Sequence, residues 1–174
     1  PWTDTFHVAG PDGITGTTTG PVRYGARDGL RSLVEDLAAD LRTLVHPRGV
    51  EDVVPVDGGV LVDGERFDAV VLAMPDPQAR DVLPEEHPLV PQLSEVAWLP
   101  VLSLTAAYSA RRWRDDLDAV FVNDLGMLAF VADDGRRRGD DAPVLVAHAH
   151  ATLAAEHLDE PDGAAPAMVD ALRE

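Results

Sequence analysis

His148-Ala149-His150 is the sharpest pair of titratable side chains in the sequence. Residues two apart in a strand share a face and lie roughly 6.5–7 Å apart, so both rings could touch one ligand or one metal ion. Two histidines alone do not make a metal site. The competing expectation is two polar residues on a half-exposed face, and no metal is assigned. The carboxylate pairs Asp115-Asp116 and Asp133-Asp134 read as solvated loop residues rather than catalytic ones. Ser32, Ser94, Ser103 and Ser109 stand in no nucleophile-elbow context. With no cysteine, disulfides, thiolate zinc sites and cysteine nucleophiles are excluded. No catalytic residue follows from these types and spacings. The aromatic residues Trp98, Tyr108, Trp113, Phe121 and Phe130 cluster in the second half. Singly each reads as core; together on one sheet they can line an apolar pocket. Tyr108, Phe121, Phe130, His148 and His150 are therefore the candidates for a substrate pocket.

A second feature is the stretch FDAVVLAMPDPQARDVL at residues 67–83. An apolar run ends at Ala73-Met74-Pro75 and turns at once into Asp76-Pro77. Ala69 to Ala73 is expected to be a strand buried on both faces, as in the middle of an α/β sheet. Pro75 cannot donate to a ladder and stops it. Asp76 is expected to cap a helix with Pro77 at its first position, and Ala79, Val82 and Leu83 form its inner face. In open α/β sheets, ligands bind at such strand ends.

These features need elements to hold them. Leu30, Leu33, Val34, Leu37, Ala38 and Leu41 follow helical spacing, with Asp28 at the expected cap. Val53 to Val56, Val60 to Val62 and Glu65 to Phe67 alternate between Asp57-Gly58-Gly59 and Asp63-Gly64, a β-meander. Residues 1–23 are rich in turn formers and predict loops or short strands. After a proline-spaced connector, Val101–Tyr108, Ala119–Val122, Met127–Ala132 and Val144–Ala151 predict an antiparallel sheet. The first of these turns Leu102, Leu104, Ala106 and Tyr108 to one face. Helices from about Ala151 to His157 and from Ala164 to Arg173 are expected to cover one side.

The chain has 174 residues, with 14 basic against 31 acidic ones. Every basic residue is Arg. A nucleic-acid partner is not expected of such an acidic chain, since phosphate binding needs clustered positive charge. Arg111-Arg112-Trp113-Arg114 and Arg136-Arg137-Arg138 stand beside aspartates and are expected to be solvated loops. No apolar run reaches the length of a membrane span, and no signal peptide opens the chain. A cytoplasmic protein with no membrane partner is the expectation. The start at Pro1-Trp2 and the end at Glu174 within a helical pattern suggest a piece of a longer polypeptide.

The order of these motifs carries a resemblance. Arg23-Tyr24-Gly25-Ala26-Arg27-Asp28-Gly29-Leu30 opens the first helix; then come Gly49-Val50, the meander and Phe67-Asp68-Ala69-Val70-Val71-Leu72-Ala73-Met74-Pro75. This resembles the middle of an FAD-dependent amine-oxidase-type oxidoreductase, nearest to the small bacterial renalase-like proteins. Leu128-Ala129-Phe130-Val131-Ala132-Asp133 and Val146-Ala147-His148-Ala149 also resemble the substrate-domain strands of that group. The resemblance runs from about Arg23 to Glu174 and rests on order and spacing.

What the resemblance implies is specific. The fold would be mixed α+β and α/β, a part of an FAD/NAD(P)-binding-type fold with an antiparallel-sheet substrate domain. Residues 1–23 would lead into the substrate domain, 24–83 would be the returning segment of the FAD-binding domain, and 84–174 the substrate domain. Val50 would contact the adenine through its main chain, and Ala73, Met74 and Pro75 would lie by the adenosine half of FAD. The activity implied is hydride transfer to FAD from a small reduced substrate, an amine or a dihydropyridine. No glycine-rich dinucleotide turn is present, so this stretch alone is not expected to retain FAD or act alone. The competing expectation from the residues is a non-catalytic ligand-binding or interaction module on an antiparallel sheet.

Overall fold

The computed structural model describes residues 1–41, 48–123 and 126–173. They form a mixed α/β structure with a six-stranded mixed sheet and a separate three-stranded antiparallel sheet. Two compact units result, Pro1–Arg42 with Leu99–Glu174, and Thr43–Trp98. Among the described residues no helix is long and apolar enough to cross a membrane.

The first unit begins with strand β1 (Thr3–Gly10), which turns back into β2 (Gly13–Arg23) as a long hairpin. Residues 1–23 are therefore more regular than their composition predicts. Thr17, Thr18 and Thr19 are β-branched and suit a pleated ribbon. The glycines among them sit within the strand, and two register shifts absorb the irregularity. The remaining strands are β6 (Ser103–Ala107), β7 (Ala119–Val122), β8 (Leu128–Asp133) and β9 (Val144–Ala149). The order across the sheet is β2-β1-β7-β8-β9-β6. Pairs β7–β8, β8–β9 and β9–β6 are antiparallel as expected, but β1 runs parallel to β7. The antiparallel pairing expected of the second-half strands holds, and the sheet is mixed because β1, from outside that half, joins it in parallel. A parallel pair needs a long crossover, and more than a hundred residues separate these two strands.

One side of this sheet is covered by the helices α5 (Ala151–Glu156) and α6 (Ala165–Ala171), as the sequence predicts. Leu153, Ala154, Ala164 and Met168 pack with Val120, Leu128, Val131, Leu145, Ala147 and Ala149 in one core. Burying Leu153 or Met168 contributes on the order of 1.5–3 kcal/mol each. Leu102 and Leu104 pack onto the same core. Tyr108 does not continue their face, because β6 ends at Ala107.

Helix α1 (Leu30–Ala38) keeps the predicted spacing, but its cap is Gly29 at φ 81° rather than Asp28. Only glycine adopts that backbone easily. The apolar stripe is not buried: Leu30, Leu33, Val34 and Leu37 are 56–73% exposed. Period fixes which residues share a face, and only a packing partner buries them.

The second unit holds the meander β3 (Val53–Val56), β4 (Gly59–Val62) and β5 (Glu65–Phe67). Its second turn places Asp63 at φ 48° and Gly64 at φ 81°. Two successive left-handed residues match the twist of a hairpin, and Asp and Gly tolerate them best. Two short helices follow, α2 (Asp76–Asp81) and α3 (Val90–Leu93). Ala79 is buried within α2 and the Val53 N–H donates to the Val82 carbonyl.

Two expectations fail here. Ala69 to Ala73 is not a strand and is not buried; Val71 is 87% exposed. A doubly apolar strand needs ladder partners on its edges, and no described strand pairs with it. Asp76 does not cap α2. The cap position falls on Pro75, and the Asp76 carboxylate instead accepts from Trp98 Nε1 at 3.3 Å.

Candidate functional site

The side chains that converge lie on the other face of the six-stranded sheet. Alternation along each strand sends Val120, Val131 and Ala147 into the helix-covered core, and Phe121, Phe130 and His148 to the opposite side. Register completes the placement: Phe121 sits across from Phe130, and Phe130 across from His148. Phe6 of β1 joins them. Its ring centroid lies 5.3 Å from Phe121 and 5.6 Å from Phe130, both edge-on. Phe121 and Phe130 are 5.5 Å apart, as are Phe130 and His148, and Trp2 and Phe6. Each such pair contributes about 0.5–1.5 kcal/mol beyond its buried area.

Phe6 is buried there with Ala119 and Ala132 as a second small core, and the face opens to solvent towards Phe121 and β6. Phe121 is 38% exposed, and Ser103 and Thr105, on the same side of β6, are exposed. Phe130 and His148 are half-buried. The Arg23 guanidinium rests 4.0 Å from the Phe6 ring centroid. Trp2 Nε1 is buried without a hydrogen-bond partner among the described residues. The cluster offers flat rings, one imidazole and one guanidinium, with no nucleophile or carboxylate among these side chains. Such a surface can bind and orient a planar ring. It does not supply a strong acid or base of its own.

The predicted pocket residues divide accordingly. Phe121, Phe130 and His148 come together. His150 does not join them, because β9 ends at Ala149 and the His150 ring caps α5, with Nδ1 accepting from the Thr152 N–H at 3.5 Å. The shared strand face expected of the two histidines is corrected. Tyr108 lies elsewhere, edge-on to Trp113 at 5.5 Å, in a pocket of about 590 Å³ that Arg112 and Leu145 also line. Trp2, Phe6 and Arg23 escaped the sequence reading. The run Phe6-His7-Val8-Ala9 before Gly10 signals a strand but not that it lies beside β7.

The aspartate pairs and arginine clusters are not all solvated loops. Asp133 is fully buried and Asp134 nearly so. Asp133 accepts from Trp113 Nε1 at 2.7 Å, from Arg111 Nη2 at 3.1 Å and from the Arg136 main chain at 3.0 Å. Arg111 Nε approaches it to 2.9 Å but makes no hydrogen bond, so that contact is ionic only. Hydrogen bonding to Asp133 raises the pKa of Arg111 above its ordinary value. Asp134 accepts from Arg137 and Arg138 within α4 (Asp134–Arg138). Adjacent charges in the sequence gave the look of solvation, yet here they pair across a buried turn. Asp116 does remain at the surface, where hydrogen bonds from Arg114 hold its carboxyl down at about 2.

In the second unit, Met74 lines an apolar pocket of about 400 Å³ with Leu72, Val53, Val60, Ala79 and Leu93. Val50, Ala73 and Pro75 are exposed and do not line it. The main-chain polar groups of Val50 and Ala73 have no hydrogen-bond partner among the described residues. Nothing among the described residues groups three or more His, Asp or Glu side chains suitably for a metal ion. No protein family's sequence profile matches the chain, and no curated protein matches it.

Proposed function

We propose that this chain supplies the substrate surface and part of the cofactor site of an FAD-dependent oxidoreductase acting on a small, planar, reduced substrate. The observation that carries the reading is the partly open aromatic surface of Phe121, Phe130 and His148, backed by the buried Phe6 ring. The resemblance of Phe67 to Pro75 and of the β8 and β9 strands to renalase-like proteins supports the identity of the cofactor. Val50, Ala73, Met74 and Pro75 would hold the adenosine half, the first two through their free main-chain groups.

The residues of the sheet bind and orient. Phe121 and Phe130 present ring surface that excludes water from one side of the substrate. Their π-faces are negative, so they favour a ring that acquires positive charge as it is oxidised. His148, beside Phe130, can hydrogen-bond a ring substituent and fix which edge points outward. FAD held by Val50, Ala73, Met74 and Pro75 would supply the hydride-accepting chemistry for the substrate oriented on this face. The hard chemistry is the flavin's, and the chain contributes placement and environment.

The test is substrate kinetics in the natural gene product carrying this sequence. Phe130→Ala is expected to weaken binding of a dihydropyridine roughly two- to tenfold, the fold-change of an aromatic contact worth about 0.5–1.5 kcal/mol. Flavin content should not change. Tyr108→Ala, off this face, is the control. Equal effects of the two substitutions would remove the aromatic face from the substrate site.

A further inference from the structure

We propose that Arg23 makes the aromatic face selective for ring compounds that carry an oxyanion substituent. This rests on the reading of that face as the substrate surface. Arg23 is stacked on Phe6, which holds the guanidinium plane at the rim of the ring cluster. Only its Nη1 is engaged, donating to the Asp4 and Pro21 carbonyls, each at 3.4 Å. Nε and Nη2 have no acceptor among the described residues, and no carboxylate pairs with Arg23 there. These two N–H groups form the side fork that matches a carboxylate or phosphate in two parallel hydrogen bonds.

The surrounding charge sharpens the point. The chain carries −17, so acidic partners for an arginine are plentiful. Arg31, Arg111, Arg114, Arg136, Arg137, Arg138 and Arg173 each reach an aspartate or glutamate. Arg23, like Arg27, Arg66, Arg80 and Arg112, reaches none among the described residues, and of these five it alone packs on a ring, beside the other rings that would hold the body of a ligand. A flat ligand lying over Phe121 and Phe130 with its acid at the Arg23 fork satisfies both kinds of group at once.

The test titrates the chain with nicotinic acid, with the neutral isostere nicotinamide and with phenyl phosphate. Binding is read from the Trp2 indole N–H and the phenylalanine ring signals by NMR. Nicotinic acid is expected to bind about tenfold more tightly than the amide, and Arg23→Gln is expected to abolish that preference. Arg23→Lys, which keeps charge without the fork, should retain part of it. Phenyl phosphate against nicotinic acid decides which oxyanion the fork prefers. Equal binding of acid and amide, or a preference that survives Arg23→Gln, overturns the role of Arg23 and leaves the ring surface standing. Absence of any shift at Trp2 and the rings with all three probes overturns both this role and the reading of the face.

Discussion

Replacing Asp133 by alanine should destabilise the six-stranded unit more than any surface substitution. The carboxylate is fully buried and serves Trp113 Nε1, Arg111 and the Arg136 N–H at once. Its removal leaves the Arg111 guanidinium, 23% exposed, with only the exposed Asp141 at 3.5 Å as a charge partner, leaves an indole donor unpaired and uncaps α4. Breaking a buried ion pair by deleting one partner costs about 3–5 kcal/mol. Partial solvent access to Arg111 favours the low end, and the lost cap adds about 1 kcal/mol. The contributions overlap, so about 4 kcal/mol is expected. At roughly 2–4 °C per kcal/mol for a chain of this size, the midpoint should fall by about 8–16 °C. Thermal melting reads the midpoint and urea unfolding the free energy, each followed by far-ultraviolet circular dichroism and tryptophan fluorescence, with coincident curves as the check on a single transition. Adding Arg111→Met should recover part of the loss, because the half-buried charge that keeps only the exposed Asp141 is gone. A loss below about 1 kcal/mol for folded Asp133→Ala would refute the assignment of a buried anchoring network.

Arg114→Gln should raise the Asp116 titration from about 2 toward the ordinary carboxylate range, because the Arg114 hydrogen bonds are the leading cause of its depression. The sign follows: this pair's contribution is present above the ordinary carboxylate pKa and is lost as pH falls toward about 2. Carboxyl-carbon NMR reads the midpoint, and a value still near 2 would assign the shift to another cause. Gly135→Ala should destabilise by about 1–3 kcal/mol, since an added Cβ would collide with the main chain of Ala142; chemical denaturation with an unchanged midpoint would disprove that contact. His150→Ala should lower stability by about 0.5–2 kcal/mol as a lost cap, with nicotinamide binding intact; weakened binding would return His150 to the site.

Local chemistry was readable, and long-range pairing was not. Asp63-Gly64 announces its hairpin because left-handed backbone demands those residue types within two positions. β6 to β9 declare themselves by period-two alternation, and Phe121, Phe130 and His148 thereby entered the candidate set. Which strand lies beside which is another matter. β1 meets β7 across more than a hundred residues, so Phe6, Trp2 and Arg23 could not be joined to the site from the sequence. The apolar run Ala69 to Ala73 signals burial only when partner strands exist to flank it. Asp133 shows the reverse error: charges adjacent in sequence suggest solvent, yet a tight turn buries them against Arg111 and Trp113. His150 illustrates how one residue of boundary shift converts a strand-face ligand into a helix cap.

The absorption spectrum of the natural gene product, recorded anaerobically before and after addition of a dihydropyridine, decides whether this chain belongs to a flavoenzyme. A bound-flavin band is expected that bleaches on adding the reduced ring compound and returns on admitting oxygen or another acceptor. A folded product with no flavin band, or a band that no reduced ring compound or amine bleaches, would contradict that assignment.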